Sequence, residues 1–230
     1  MSLVPNFEII DLGEIPYLSV WELQQDLVEK RIQNQIQDTL VVCTHPPTIT
    51  LGRKSQRGES PLGTTTPKDR DGNEIPVYEI ERGGQATYHG PGQIVIYPIV
   101  YLSPSKDSQV KGGVVGLIRK MESAVIEYLK QEHALYSEHV DEPDATGVWV
   151  DGKRKITSIG IAVKKWVSYH GLAFNVSTGL EPWNSFNPCG FSGSVMTDLD
   201  RETKSTQDIE KVKKDLVKHL SETLVTDTSF

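Results

Sequence analysis

The chain has 230 residues, 37% hydrophobic and 24% charged, which is enough for one sizeable core, and a single domain over residues 1–230 is expected. Its net charge of −7 argues against broad, sequence-independent binding to nucleic acid. Two cysteines are too few for a disulfide framework and read as reduced thiols. The N-terminus carries neither a secretory leader, an Arg-rich transit peptide nor a membrane span, so a soluble, cytoplasmic protein is expected.

In chain order, helical spacing begins at Ser19. Ser19 and Glu22 form a capping-box pair, followed by Val20, Leu23, Leu27, Val28 and Ile32 on one face. Residues 39–51 read as two short buried strands broken at Pro46-Pro47, with Cys43 inside the first. Residues 53–74 lose apolar periodicity and read as a long, mobile surface loop of the kind that closes over sites. Val77–Glu81 alternates like a half-buried strand, and Ile94–Leu102 is a near-continuous apolar strand.

Between those strands lies a glycine island, Arg82–Gln93, with four Gly and one Pro around His89. Glycine at that density weakens a strand but lets backbone approach a ligand closely. A second amphipathic helix runs through Val114, Leu117, Ile118, Met121, Val125, Tyr128 and Leu129. Residues 146–152, 153–163 and 167–176 then read as a three-strand meander with Lys164 and Lys165 near its last turn. A C-terminal helix opens with Ser205 and Asp208 and places Ile209, Val212, Leu216 and Leu220 on one face. Strands in clusters with helices between and after them predict an α+β fold, with mixed sheets flanked by helices.

Cys189, held between Pro188 and Gly190 in a polar loop, contrasts with Cys43, which lies in an apolar run as structural cysteines do. On local context alone, a reactive thiol and an incidental loop cysteine both remain open. A thiol is mostly protonated near neutrality, so a reactive one needs a nearby cation, and Lys155, His89 and His170 are the available donors of that help. Read alone, Lys153-Arg154-Lys155 is a solvated hairpin turn. His89 and His170 are each as readable as hydrogen-bonded buried histidines as substrate-facing ones, and His45, before two prolines, reads as structural.

The glycine island is neither a phosphate loop, lacking the Lys-Ser/Thr that follows one, nor a dinucleotide fingerprint, because it opens a strand rather than a helix. A metal site drawn from Cys43, His45, His89, His170 and Cys189 has no recognised spacing beyond a weak Cys-x-His, and none is expected.

Together, THPPTITLGR (44–53), RGGQATYHGPGQIVIYPI (82–99), DATGVWVDGKRKITSIGIAV (144–163), SYHGLAFNV (168–176) and NPCG (187–190) resemble the lipoyl(octanoyl) transferases of lipoate biosynthesis. The resemblance implies a biotin/lipoate protein ligase-like fold. It implies a two-step acyl transfer: Cys189 takes an octanoyl group from octanoyl-acyl carrier protein as a thioester, and a lysine of a lipoyl domain of a 2-oxoacid dehydrogenase, or of glycine-cleavage H protein, then accepts it as an amide. Lys155 corresponds to the lysine that lowers the thiol pKa. The substrate wall is implied at Arg82, Gly83, Gly84, Gln85, Ala86, Thr87, Tyr88 and His89, at Ser158, Ile159 and Gly160, and at Gly171, Leu172 and Ala173.

Thioester exchange followed by aminolysis is downhill, so no cofactor, ATP or metal is expected. Backbone N–H groups at Gly160, Gly171 or Gly190 are the candidate oxyanion donors, a choice the sequence leaves open. The basic residues Arg53, Lys54, Arg57, Lys153, Arg154, Lys164 and Lys165 lie near these segments and suggest a docking rim for acidic carrier proteins. The rival readings are an ATP-dependent lipoate ligase on the same fold, against which NPCG argues, and a non-catalytic acyl-chain or lipoyl-domain binding module.

Overall fold

A computed structural model describes residues 7–55, 62, 66–69, 71–102, 112–179, 181, 183 and 193–225. β1 (Glu8–Glu14) leads into α1 (Tyr17–Ile32), then β2 (Thr39–Thr44) and β3 (Thr48–Leu51) on either side of Pro46-Pro47. Next come β4 (Val77–Glu79), β5 (Ala86–His89) and β6 (Gln93–Ile99), then α2 (Gly113–His133) and the two-residue β7 (Ser137–Glu138). β8 (Gly147–Val150), β9 (Arg154–Lys164) and β10 (Val167–Asn175) form the expected antiparallel meander, and α3 (Leu199–Thr203) and α4 (Ile209–Val225) follow.

The prolines between β2 and β3 end one strand and redirect the chain, so β2 and β3 belong to different sheets. The larger sheet has the order β1-β2-β6-β10-β9-β8-β7 and the smaller β4-β3-β5. Among these strands β1–β2 and β3–β4 pair in parallel and the other neighbours antiparallel, so both sheets are mixed. β6 is buried along its whole length because both of its faces are covered. Ile94 and Ile96 join Leu117 and Met121 of α2 and Leu216 and Leu220 of α4 on one side. Val95, Tyr97 and Ile99 join Val20, Leu27 and Val28 of α1 on the other. A separate cluster of Ile49, Ile75, Ala86, Tyr88, Trp183 and Met196 fills the small sheet.

Several boundaries differ from the sequence reading. α1 begins at Tyr17, with Pro16 as N-cap and no side-chain capping bond, so Ser19 and Glu22 lie inside the helix rather than forming a capping box. Pro16 presets the backbone there and lacks only an N–H the first turn does not use. At α4 the cap is Asp208, whose Oδ1 accepts from the backbone N–H groups of Glu210 at 3.0 Å and Lys211 at 3.4 Å; Ser205 bonds elsewhere. The mobile loop expected over 53–74 falls in large part on residues 56–61, 63–65 and 70, which lie outside the described residues. The described part holds an Asp69-centred turn closed by a Lys68–Glu74 bridge.

One irregularity in the large sheet shapes the site. β10 pairs with β6 from Leu172–Ile96 to Asn175–Gln93, and in the same register Tyr101 bridges Val167 and Ser168 bonds to Val100. The ladder lapses only in the gap between, where that register sets His170 opposite Pro98. Proline has no N–H to donate. Pro98 therefore offers the His170 carbonyl no ladder donor, its own carbonyl accepts from Ser168 Oγ at 2.6 Å, the His170 N–H donates to Gln24 Oε1 at 2.7 Å, and His170 takes a left-handed φ of 57°. Such strain in a buried non-glycine residue costs on the order of 1 kcal/mol or more and concentrates at functional sites.

Candidate active site

β9 outruns β8, whose pairing ends at Gly147–Ser158, so from Ile159 onward one edge of β9 is free. The glycine island closes that edge. Gly83 N–H donates to the Ile161 carbonyl at 3.1 Å, and a Cβ at Gly160 would lie 3.0 Å from the Gly83 carbonyl oxygen. The approach is close because neither residue has a side chain. Arg82 pins the island to β3: Nη2 donates to the Thr50 carbonyl at 2.7 Å, Nη2 and Nε donate to Thr50 Oγ1 at 3.0 and 3.2 Å, and Nη1 donates to the Gly83 carbonyl at 2.9 Å.

The space enclosed between the two sheets is a cavity of about 330 Å³. Arg82, Gly83, Gly84, Thr87 and His89 wall one side, and Ser158, Ile159, Gly160, Gly171, Leu172 and Ala173 the other. Gln85, Ala86 and Tyr88 do not line it. The two-residue period of β5 sends Thr87 and His89 into the cavity, while Ala86 and Tyr88 turn into the core of the small sheet, where Tyr88 packs edge-on against Trp183. Tyr17, Val95 and Tyr97 also line the cavity, although the sequence marks Val95 and Tyr97 only as part of an apolar strand and does not mark Tyr17. The alternation of IVIYPI, which puts Val95 and Tyr97 on one face, was the available signal for two of them.

Hydrogen bonds fix the histidine states. Gln93 Nε2 donates to the Tyr88 carbonyl at 3.1 Å and Asn175 Oδ1 at 2.9 Å, so its Oε1 accepts from His89 Nδ1 at 2.9 Å and leaves Nε2 as the acceptor of that ring. His45 donates from Nδ1 to the Ile15 carbonyl at 2.7 Å and accepts at Nε2 from Tyr97 Oη at 2.8 Å. Burial holds His45 neutral, pushed down to about 4, and drives His89 well below the usual histidine range. His170 is pushed down to about 3 by burial first and then by Arg82 and Arg53. His45 is the structural histidine expected, outside the cavity lining. Burial also raises the Cys43 thiol far above its ordinary range.

Lys155 is not in a solvated turn. It is 2% exposed, because β8 and β9 shift register between Val148 and Trp149 and turn its side chain inward. The stem passes Gly147, where a Cβ would stand 3.0 Å from Lys155 Cε, and Nζ lies 5.3 Å from the centroid of the Trp149 ring, within cation–π range. The Lys155 backbone bridges Met196 and accepts from Thr197 N–H at 3.0 Å. Cys189 lies outside the described residues, as do Pro188 and Gly190. The two flanks of its segment meet, since Gly193 packs so tightly on Trp183 that a Cβ would sit 2.0 Å from the Trp183 carbonyl oxygen.

Of the proposed basic rim, Lys54 pairs with Asp144 at 2.5 Å, Arg154 with Glu202 and Asp151 at 2.7 and 2.9 Å, and Lys164 with Glu29. Those three cations are already engaged by carboxylates. Arg57 lies outside the described residues. No cluster of metal-ligating side chains occurs among the described residues, and no helix among them is long and apolar enough to cross a membrane.

The fold is shared with lipoate and biotin protein ligases. A lipoate protein ligase of Thermoplasma acidophilum superposes with a TM-score of 0.64 at 18% identity, over 97% of this chain and 85% of that one. The biotin protein ligase of Aquifex aeolicus with biotin and ATP gives 0.54 at 16% identity, over 94% of this chain and 70% of that one. The chain belongs to the lipoyl protein ligase A/B catalytic domain family, whose profile matches residues 16–221, and it is an acyltransferase. The octanoyltransferase of Desulforamulus reducens is 39% identical over 213 residues, 93% of this chain and 89% of its own length.

Proposed function

We propose that this acyltransferase moves an octanoyl group from octanoyl-acyl carrier protein to a lysine of lipoyl domains or of glycine-cleavage H protein, through a thioester on Cys189. The observation that carries the reading is the buried Lys155, packed against Gly147 and backbone-bonded to the segment that follows the Asn187–Gly190 island. An ammonium near a thiol favours the thiolate, the form that attacks. The Cys189 thiolate adds to the donor thioester carbonyl, and the tetrahedral intermediate expels the carrier thiol, which takes up the proton that Cys189 gave up. The neutral ε-amine of the acceptor then attacks the enzyme thioester, and the tetrahedral intermediate expels Cys189, whose sulfur takes up the proton the amine loses, leaving an amide.

The acyl chain lies against Gly160 and Gly171, with Ile159 and Leu172 beside it. Burying its CH₂ groups contributes about 0.8 kcal/mol each. The test is transfer from octanoyl-acyl carrier protein to a purified lipoyl domain without ATP. Octanoylated acceptor from wild type and none from Cys189→Ala supports the reading. Transfer only when ATP and free octanoate are supplied makes the chain a ligase, and no transfer under either condition makes it a binding module.

A further inference from the structure

The cavity has two unlike ends. Its mouth is marked by Val114, 38% exposed, and by the solvent-facing Lys54–Asp144 pair. Its inner end is marked by His170 and Tyr17, 1% and 2% exposed. Lys155 packs against Gly147, whose strand partner Ser158 lines the cavity, whereas His170 pairs with Ile161, three residues beyond Ser158 along β9. That is about 10 Å of strand, close to the length of an extended eight-carbon chain.

An octanoyl group held with its carbonyl at the Lys155 end therefore points its methyl at His170. The surface waiting there is polar. Both ring nitrogens of His170 and Oγ1 of Thr87 are fully buried without a hydrogen-bond partner among the described residues, and His89, two residues from Thr87 on the same face of β5, keeps Nε2 as an acceptor. A saturated chain satisfies none of these groups, and buried polar atoms need partners.

We infer that His170 and Thr87, beside His89, form a water-holding polar floor that stops the acyl cavity at eight carbons and sets chain-length specificity. A trapped water there has the several polar partners such a site needs. A longer chain must expel it without replacing its hydrogen bonds, which cancels the roughly fourfold gain that each further buried CH₂ would otherwise bring. His170 holds this position opposite Pro98, which denies its carbonyl a ladder donor, with its N–H bonded to Gln24 and its backbone in the left-handed region.

The inference rests on the proposed octanoyl transfer, and the experiment separates the two. Acylation of the enzyme by hexanoyl-, octanoyl- and decanoyl-acyl carrier protein is measured as kcat/KM for wild type, His170→Gly, His170→Asn and Thr87→Val. Glycine suits the φ of 57° and deepens the floor, and asparagine tolerates that φ and keeps a hydrogen-bonding tip. The expected result is a decanoyl-to-octanoyl ratio about tenfold higher in His170→Gly, a shift in the same direction in Thr87→Val, and a ratio near wild type in His170→Asn. A wild-type ratio in folded His170→Gly overturns the inference. If that variant does not fold, an unchanged ratio in Thr87→Val overturns it. Wild type that accepts no acyl group from any donor overturns the transfer reading and the inference with it.

Discussion

Lowering the pH should unfold this protein through its buried histidines before its carboxylates titrate. An unfolded histidine has a pKa near 6.5, whereas in the fold His45 is held at about 4 and His170 at about 3. The native state keeps both rings neutral, so below pH 6.5 the unfolded chain binds more protons than the folded one. Stability is complete above about pH 6.5 and falls as pH drops toward the folded values. At about pH 5 each ring has removed about 2 kcal/mol relative to pH 7.5, because each pH unit below the unfolded pKa is worth 1.36 kcal/mol until the folded pKa is reached. Together they remove about 4 kcal/mol, and His89 adds to the loss in the same direction. That is a large part of the stability of an ordinary domain. Urea unfolding followed by tryptophan fluorescence at the two pH values measures it. His170→Asn removes one titration and should cut the pH-dependent loss by about 2 kcal/mol. A wild-type loss below about 1 kcal/mol, or an equal loss in His170→Asn, refutes the assignment of these rings as buried and neutral.

Gly171→Ala sets a Cβ 1.9 Å from the Ile96 carbonyl oxygen and 2.9 Å from Pro98 Cδ, so β6 and β10 must part. The overpacking should destabilise by about 3 kcal/mol in urea unfolding, and a change below about 1 kcal/mol contradicts the close approach. Lys155→Ala should slow alkylation of Cys189 by iodoacetamide at neutral pH and move its inflection up toward the ordinary thiol range, about 8.5. Cys43, buried and raised, stays out of that assay. An unmoved inflection removes Lys155 from the role of activating the thiol.

The features legible in the sequence were those written in local pattern. The Pro46-Pro47 break, the apolar run of β6 and the meander of β8 to β10 each carry their own periodicity or punctuation, and each was found. β1 was not, because it is a largely exposed edge strand whose one neighbour is the parallel β2, and nothing in EIIDLGE alternates strongly. The glycine island was legible as a site, but its strand was not, so Ala86 and Tyr88 were grouped with Thr87 and His89 although their side chains point the other way. Lys155 read locally as a turn because its burial comes from a register shift and from Met196 and Thr197, about forty residues away. Pro98 was visible inside an apolar strand. Its effect on His170 needed the β6–β10 register, which no single segment encodes.

The most direct test of the central claim is the intact mass of the protein after mixing with octanoyl-acyl carrier protein, with and without hydroxylamine, for wild type and Cys189→Ala. The account predicts a gain of one octanoyl group, about 126 Da, on wild type only, removed by hydroxylamine as a thioester is. An intact carrier thioester with no adduct on wild type, or an equal adduct on Cys189→Ala, would contradict it.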